Sequence, residues 1–311
     1  MKDIEYHISD SRWELWSAKT IEEHIEKNVI KGKFHDHVPK DIKSAYQTIE
    51  YIMAHAFYHY PMYDVAVKEL TALMEMAVKI RANQKSISLT YKDKKGSEKP
   101  CSLNNLIDQV LKGKETEAEI LKEELHKVRN LRNSLIHRDS NSFAGASFQN
   151  TIWPTINRIN ELFYERDIRT EDFFSLYDKM KQFKNKCLVL ETQKQKYLIL
   201  LAQLNDSLSN KNLYVFNYEI LLNTVEEGQA PSESRIVILK SLTIGEELIE
   251  AVPLSGDRFK IYPSTKLENI NKYKVAAKLI KQNPDLRATY HVKLLYLSRE
   301  VEQFRYNNAW Q

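Results

Sequence analysis

Two arginines, an asparagine and a histidine recur at helical spacing near the middle of the chain. Arg129, Asn133 and His137 are four residues apart, so a helix would align them on one face, and Arg132 lies beside that row. Arginine presents a planar fork of donors that matches phosphate oxygens. Histidine can accept or donate a proton near neutral pH. The set therefore favours chemistry on a phosphodiester.

RNA is the phosphodiester that such a set could cleave without a metal ion. Its 2′-hydroxyl is a nucleophile within the substrate, so one base and one phosphate clamp suffice, and the product ends in a 2′,3′-cyclic phosphate. We assign His137 as the base, Arg132 as the clamp and Asn133 as the group that orients either partner. Arg129 and Arg138 are predicted to bind the substrate.

The same segment carries a family resemblance. The string RNSLIH, from Arg132 to His137, resembles the Arg-Asn-x-x-x-His signature of the HEPN superfamily of helical RNA-binding and RNA-cleaving domains. In HEPN domains this motif closes a long helix of a small bundle and is followed by a loop and a further helix. The sequence has that order over roughly residues 41–166. The resemblance implies an endoribonuclease, and such domains commonly serve bacterial antiviral defence or toxin systems.

One departure from the family concerns regulation. HEPN toxins that pair with a nucleotidyltransferase carry a tyrosine two residues after the motif histidine, and here Asp139 stands at that position. The resemblance therefore does not extend to that form of control.

Acid and base chemistry predicts a homodimer. Cyclisation needs a base for the 2′-hydroxyl and an acid for the leaving 5′-oxygen, whereas one bundle supplies a single motif imidazole. A two-fold interface would place a second His137 opposite the first, and HEPN domains are known to pair in this way. We therefore predict that two RNSLIH faces line one cleft.

Two other interpretations of these residues stay open. Arg132 could form a salt bridge across the bundle, and His137 could stand near a helix C-terminus, where an imidazolium is favoured. A bundle with this face could also bind RNA, a nucleotide or a partner protein without cutting, because binding and cleavage use the same cations.

Two histidine pairs outside the motif raise the question of a metal site. His35 and His37 flank Asp36, and His55 and His59 have the i, i+4 spacing that lets two imidazoles share one ion. Neither pair comes with the further glutamate or third ligand of a known motif, so we predict no metal and no cofactor. His55 and His59 are instead expected to be partly buried packing residues, among Tyr51, Ala54, Phe57 and Tyr58.

Helical periodicity predicts the bundle that positions the motif. The motif helix is expected over Glu119–His137, with an apolar stripe of Ile120, Leu121, Val128, Leu131 and Leu135 and with Leu125 at its margin. Three helices are predicted before it. An accessory helix runs from the capping box Ser11-x-x-Glu14 to about Gly32, and a second helix is capped by Asp41 and ended by Pro61. A third runs from Met62 to about Ala82, and its predicted buried residues are Val65, Val67, Leu70, Leu73, Met74 and Met76. A hairpin with a strand over Ser86–Tyr91 and a short helix from Ser102 to Gly113 follow, and beyond the motif we predict a polar loop over 138–150 and a closing helix after Trp153-Pro154.

Past a basic connector the periodicity changes from helical to alternating. Strands are predicted over Cys187–Glu191, Lys196–Gln203, Asn212–Ile220, Arg235–Lys240 and Arg258–Tyr262, and helices over Asn269–Lys281 and Lys293–Arg305. The fold class is therefore a mainly α, HEPN-like N-terminal bundle (residues 1–170), a helical connector (171–186) and a C-terminal α+β domain (187–311). That last domain has no Gly-rich phosphate loop and could dock a protein partner.

Composition and charge narrow the functional class. The chain has 311 residues, a net charge of +4 and two cysteines, so we expect a reducing, cytoplasmic setting without a disulfide or zinc framework. The most apolar run, Tyr197–Leu204, is far short of the roughly 20 residues that span a bilayer, which argues against a membrane protein. The mild positive charge is compatible with RNA as the partner.

Overall fold

The computed structural model describes residues 6–112, 116–136, 145–164, 170–222 and 232–310. The chain divides into two compact units. One unit combines Met1–Glu165 with Arg305–Gln311, and the other is Arg166–Phe304. The first is built from helices and the second around an antiparallel sheet. This confirms the predicted combination of a helical N-terminal part and a C-terminal α+β part.

The first unit is a helical bundle with a small hairpin. Its helices are α1 (Ile21–Asn28), α2 (Lys40–His55), α3 (Met62–Gln84), α4 (Leu103–Val110), α5 (Thr116–Ile136) and α6 (Gln149–Phe163). Strands β1 (Thr90–Lys92) and β2 (Glu98–Pro100) pair antiparallel between α3 and α4, so the predicted hairpin is present, but its first strand starts at Thr90 and not at Ser86. Ser102 caps α4 by accepting a hydrogen bond from the Asn105 N–H at 3.2 Å, as its position before the helix predicted.

Helix α3 runs through the centre of the bundle and contacts α2, α4, α5 and α6. Two of its predicted core residues are not buried, because Val65 is 46% exposed, with Ala66 in the inward position, and Met76 is only partly buried. Tyr63 explains the inward position of Ala66, since its buried ring is fixed by a 2.8 Å hydrogen bond from its hydroxyl to the Asn28 carbonyl. The remaining inward positions of the helix are apolar or small: Val67, Leu70, Leu73, Met74, Ala77 and Val78.

The N-terminal segment does not form the single helix that was predicted. A 3₁₀ turn over Ser11–Trp16 is capped by Asp10 rather than by Ser11, and it ends at Ser17, which has a left-handed φ of 58°. A second start then follows, where the Thr20 hydroxyl accepts a hydrogen bond from the Glu23 N–H at 3.2 Å and begins α1. The predicted cap, Ser11, is therefore wrong by one residue, because the capping side chain is that of Asp10.

Two further helix boundaries differ from the sequence prediction. Helix α2 starts after Pro39, so Asp41 lies in its first turn, and it ends at His55 instead of continuing to Pro61. Helix α6 starts at Gln149 and contains Pro154. Its start is fixed by the buried Gln149 amide, which donates a 2.8 Å hydrogen bond to the Asn28 side chain. The sequence prediction started this helix after Pro154, because proline is unfavourable inside a helix, but tertiary contacts can outweigh such a local preference.

The second unit is organised around a closed antiparallel barrel. In the described part of the chain its six strands pair in sequence order, and the last closes on the first: β3 (Leu188–Thr192), β4 (Lys196–Leu208), β5 (Leu213–Leu221), β6 (Ser232–Ile244), β7 (Ile249–Pro253) and β8 (Phe259–Pro263). Alternate residues fill the interior, as on β5, where Tyr214, Phe216, Tyr218 and Ile220 belong to the core. Five of these strands were predicted, and β7 was missed.

Strands β4 and β6 extend well beyond their predicted ends because bulges interrupt their alternation. The register shifts between Ile199 and Leu201 and again between Leu204 and Asp206 on β4, and between Leu239 and Ser241 on β6. A bulge bends and twists a strand, which lets a short sheet close into a barrel. A strict period-two pattern therefore detects only part of each strand.

Helices flank the barrel within the same unit. They are α7 (Phe173–Met180), α8 (Leu267–Gln282) and most of α9 (Pro284–Asn308). The residues predicted as a separate connector belong here, because Phe173, Leu176, Met180 and Phe183 are buried in the barrel's hydrophobic cluster. Among the described residues, no helix combines the length and apolar character needed to cross a membrane.

The last residues of the chain belong to the helical bundle, not to the barrel unit. Arg305 pairs with Glu161 of α6, and both side chains are less than 10% exposed. The Tyr306 hydroxyl donates to the Lys31 carbonyl at 2.5 Å. Trp310 is buried and its indole N–H donates to the Asn157 side chain at 2.7 Å. The predicted domain of residues 187–311 therefore includes a segment that completes the other unit.

One prediction concerns the N-terminal cap. Arg12 donates to the Asp10 carboxylate at 2.7 Å, and this contact, together with the Tyr60 N–H at 2.9 Å, lowers the pKa of Asp10 to about 2. The stabilisation is present above the unfolded pKa near 3.8 and is lost as pH falls towards 2, and with solvent screening of this partly exposed pair it amounts to about 1 kcal/mol. Chemical unfolding of wild type and Asp10→Asn should therefore differ by about that much at pH 6. The difference should shrink between pH 4 and pH 2, and a difference that does not vary with pH would contradict the assignment.

Candidate active site

Helix α5 presents the motif residues and is held by an apolar stripe. Leu125 is fully buried and Val128 is 8% exposed, while Leu121, Leu131 and Leu135 are partly buried against the same core. Leu125 is thus the centre of the stripe rather than its margin, because α5 contacts α3, α4 and α6 together. Arg132 lies seven residues after Leu125 and is therefore nearly in line with it along α5, with a side chain that is partly exposed, whereas Asn133 is exposed.

Arg132 is fixed by a carboxylate from α3. Its Nε lies 3.0 Å from Oε2 of Glu75, whose Oε1 also binds the Lys79 ammonium at 2.7 Å. The Arg132 side chain is 31% exposed. A guanidinium held through Nε keeps the N–H groups of its outer edge available for an anion.

Asn133 lies next to this guanidinium on the exposed side of α5. Its Oδ1 accepts a hydrogen bond from Nη1 of Arg132 at 3.4 Å. Within the described part of the chain, the Asn133 side chain has no other partner, so its amide N–H groups are available for a ligand. The structure therefore brings together two of the three predicted catalytic residues.

Arg129 is held differently from Arg132. Its Nη1 donates to the Asn104 side chain on α4, and its Nη2 donates to Asn130 at 2.9 Å. Its Nε is buried without a partner among the described groups. The two guanidiniums that were predicted to share one surface are thus held by different helices, and Arg129 links α5 to α4.

His137 and Arg138 lie outside the described residues, as does most of the predicted polar loop. The chain is described again from Gly145, whose N–H donates to the Asp64 carboxylate at 2.6 Å. The next N–H, of Ala146, donates to the Tyr60 hydroxyl at 3.0 Å. Gly145 has a φ of +53°, and a Cβ there would lie 1.9 Å from the Tyr60 ring. Glycine is therefore required where the chain enters α6.

A polar seam between α4 and α5 was not anticipated from the sequence. Asp108 of α4 binds Lys122 at 2.7 Å and the imidazole of His126 at 3.4 Å, and both partners lie on α5. The hydrogen bond from Lys122 is the main reason why the pKa of Asp108 is lowered. The i, i+4 spacing of Lys122 and His126 was the available signal, but a carboxylate on another helix is invisible to local spacing.

The other histidines do not assemble a metal site in the described structure, where no group of three His, Cys, Asp or Glu side chains could hold an ion. His35 binds the Asn160 carbonyl through Nε2 at 2.9 Å, and its Nδ1 accepts the His37 N–H at 3.2 Å. Burial lowers the pKa of His35. His55 and His59 are both exposed, so their predicted role as partly buried packing residues is wrong.

Comparison of the chain with protein-family models, with curated proteins and with solved structures gives no match.

Glu75 is predicted to be the residue that positions Arg132. Glu75→Gln should change the free energy of unfolding by less than about 1 kcal/mol, because the pair is partly exposed. It should lower the rate of any reaction that depends on the position of the Arg132 guanidinium by at least about tenfold. In an Arg132→Ala background the same change should cause no further loss, since the two residues act as one unit.

A rate assay on the four proteins of this cycle, with wild type included, checks the coupling. Lys79→Met is the matched control, because Lys79 is the other cation bound to Glu75. Equal losses from Glu75→Gln in both backgrounds would show that Glu75 does not act through Arg132.

Proposed function

We propose that the chain is a metal-independent endoribonuclease of HEPN type that cleaves RNA through attack of the 2′-hydroxyl. The observation that carries the proposal is the Arg132 guanidinium, which is fixed by Glu75 beside the exposed amide of Asn133 on α5. This arrangement suits one phosphate, with two donor groups of different geometry on a rigid helix. The resemblance of RNSLIH to the HEPN signature supports the same conclusion.

The roles of the residues follow from their chemistry. His137 removes the proton of the 2′-hydroxyl, Arg132 neutralises the charge that develops on the phosphate, and Asn133 orients the scissile group. Arg138 is assigned to substrate binding. Arg129 is assigned a secondary part in substrate binding, because its guanidinium is already bound to Asn104 of α4.

A homodimer supplies the second proton-transfer group. Expulsion of the 5′-oxygen needs an acid, and a two-fold axis through the RNSLIH face would bring the partner's imidazole to that oxygen. Facing arginines repel one another unless an anion lies between them, so RNA binding and salt sensitivity belong to the same proposal. By resemblance, we place the activity in the bacterial cytoplasm, in antiviral defence or as a toxin.

A second candidate function is a bundle that binds RNA, a nucleotide or a protein partner without cutting. The Arg132–Glu75 pair favours it, because a cross-helix salt bridge is what a structural arginine would form. The C-terminal unit could then dock the partner.

An RNA of defined sequence and its fully 2′-O-methylated copy separate these functions. In buffer with EDTA, the nuclease should cleave the RNA and leave the methylated copy intact, because methylation removes the nucleophile. Cleavage of the methylated copy, or cleavage only after magnesium or zinc is added, would contradict the proposal. Binding of both strands without cleavage would favour the second candidate.

A further inference from the structure

Helix α8 exposes several of its apolar residues. Of its sixteen residues, all described, only Ala276 is buried. Leu267 and Val275 are about 70% exposed and Leu279 is 41% exposed. Single exposed apolar side chains are ordinary, but several on one helix indicate a surface that another molecule covers.

A groove of about 1030 Å³ lies between α8 and the outer ends of β3, β4, β5 and β8. One wall of the groove is a stripe of α8 from Glu268 to Leu279, a length of about 16 Å at the helical rise. The volume is at the upper end of the range for small-molecule sites. The groove belongs entirely to the barrel unit.

The half of the groove nearer the C-terminus of α8 is apolar. Its α8 wall is formed by Val275, Ala276 and Leu279. Leu221, at the end of β5, and Leu222, which follows it, also line the groove. These side chains offer no charge and no hydrogen bond, so they suit a hydrocarbon segment.

The half nearer the N-terminus of α8 is basic and polar. Lys196, Lys266 and Lys272 line the groove, against a single described carboxylate in its lining, Glu268. Lys272 is neutralised by Glu268 at 2.9 Å, and Lys196 by Glu191 at 2.9 Å. Lys266 has no carboxylate within 4.0 Å among the described residues. It also provides no side-chain cap for α8, whose first turn carries Glu268.

We propose that this groove binds an amphipathic anion, with a carboxylate head at Lys266 and a linear hydrocarbon tail along Val275 and Leu279. The polar half and the apolar half follow one another along α8, so the ligand can bind in only one direction, with its charged head towards the N-terminus of the helix. A phosphodiester chain would need cations at regular intervals, and the apolar half has none. The site goes beyond the proposed nuclease function and does not rest on it.

Titration calorimetry with dodecanoate, below its micelle concentration, tests the site on the full-length protein. We expect one molecule bound per chain. Lys266→Glu and Leu279→Glu should each weaken binding by about tenfold or more, through loss of the charged contact and of the apolar wall. Lys281→Glu is the matched control, because it makes the same charge change on an exposed residue of α8 outside the groove. Dodecylammonium should not bind, because its head repels Lys266.

Several results would overturn the assignment. These are non-saturable uptake of dodecanoate, equal affinity in all three variants, and equal affinity for the ammonium compound. Saturable binding of an acidic amphipathic peptide in the absence of dodecanoate binding would assign the groove to a protein partner instead. Circular dichroism of each variant establishes that the barrel is folded, so that lost binding reports on the groove.

Discussion

Arg132→Ala is expected to lower the rate of RNA cleavage by about a hundredfold or more while the bundle stays folded. In the proposed mechanism, the Arg132 guanidinium stabilises the charge that develops on the phosphate, and it donates a hydrogen bond to Asn133 beside it. The fold should persist because the Arg132 side chain is 31% exposed, and loss of a partly exposed ion pair with Glu75 costs about 1 kcal/mol or less. Arg132→Lys should recover only part of the rate, since an ammonium cannot reproduce the planar fork.

A matched control for this variant is Lys127→Ala. Lys127 is a cation of the same helix, it is 69% exposed and it pairs only locally with Glu124. Its removal should leave both cleavage and stability within experimental error. Steady-state rates on a defined RNA, with thermal unfolding of each protein, provide the comparison. Equal rates for wild type and a folded Arg132→Ala protein would remove Arg132 from the site.

Deletion of residues 305–311 is expected to unfold the helical bundle. The segment buries Tyr306 and Trp310 and supplies the cation that pairs with the buried Glu161. Truncation of one buried tryptophan costs about 3–5 kcal/mol, and the total stability of a domain is about 5–15 kcal/mol. Losing several such contacts together leaves little net stability, although Arg158 still pairs with Glu161.

Two point variants keep this prediction testable if the deletion protein aggregates. Trp310→Ala should lower the free energy of unfolding by about 3 kcal/mol or more. Leu295→Ala, on an exposed residue of α9, should change it by less than about 0.5 kcal/mol. A deletion protein that melts like wild type would show that the bundle is complete without its C-terminal segment.

Local sequence patterns predicted the helices and strands of this fold better than they predicted which of them pack or pair together. The apolar spacing of α3 and α5 was visible because each helix buries one face of its own sequence. Strand β5 was visible as an alternating run of apolar and aromatic residues, and eight of its nine residues are buried. The closure of the barrel was not visible, since the β3–β8 pairing joins distant parts of the chain and bulges blur the pattern of β4. The return of Trp310 to the bundle is hidden for the same reason.

The same distinction separates the residues of the candidate site that could be predicted from those that could not. The motif residues Arg132 and Asn133 could be proposed from residue type and helical spacing, because both lie on one helix. Glu75 and Asp108 could not be assigned, since a lone carboxylate on a helix looks like solvated surface until the packing of another helix gives it a cation. The residues that hold a site in place are therefore the ones that need a structure.

The chemistry of the product ends tests the central claim most directly. Wild type and His137→Ala should be incubated with one defined RNA in EDTA, and the termini identified by mass spectrometry. The proposed mechanism predicts 2′,3′-cyclic phosphate and 5′-hydroxyl ends with wild type and no products with a folded His137→Ala protein. Products with 3′-hydroxyl ends, or unchanged cleavage by His137→Ala, would contradict it.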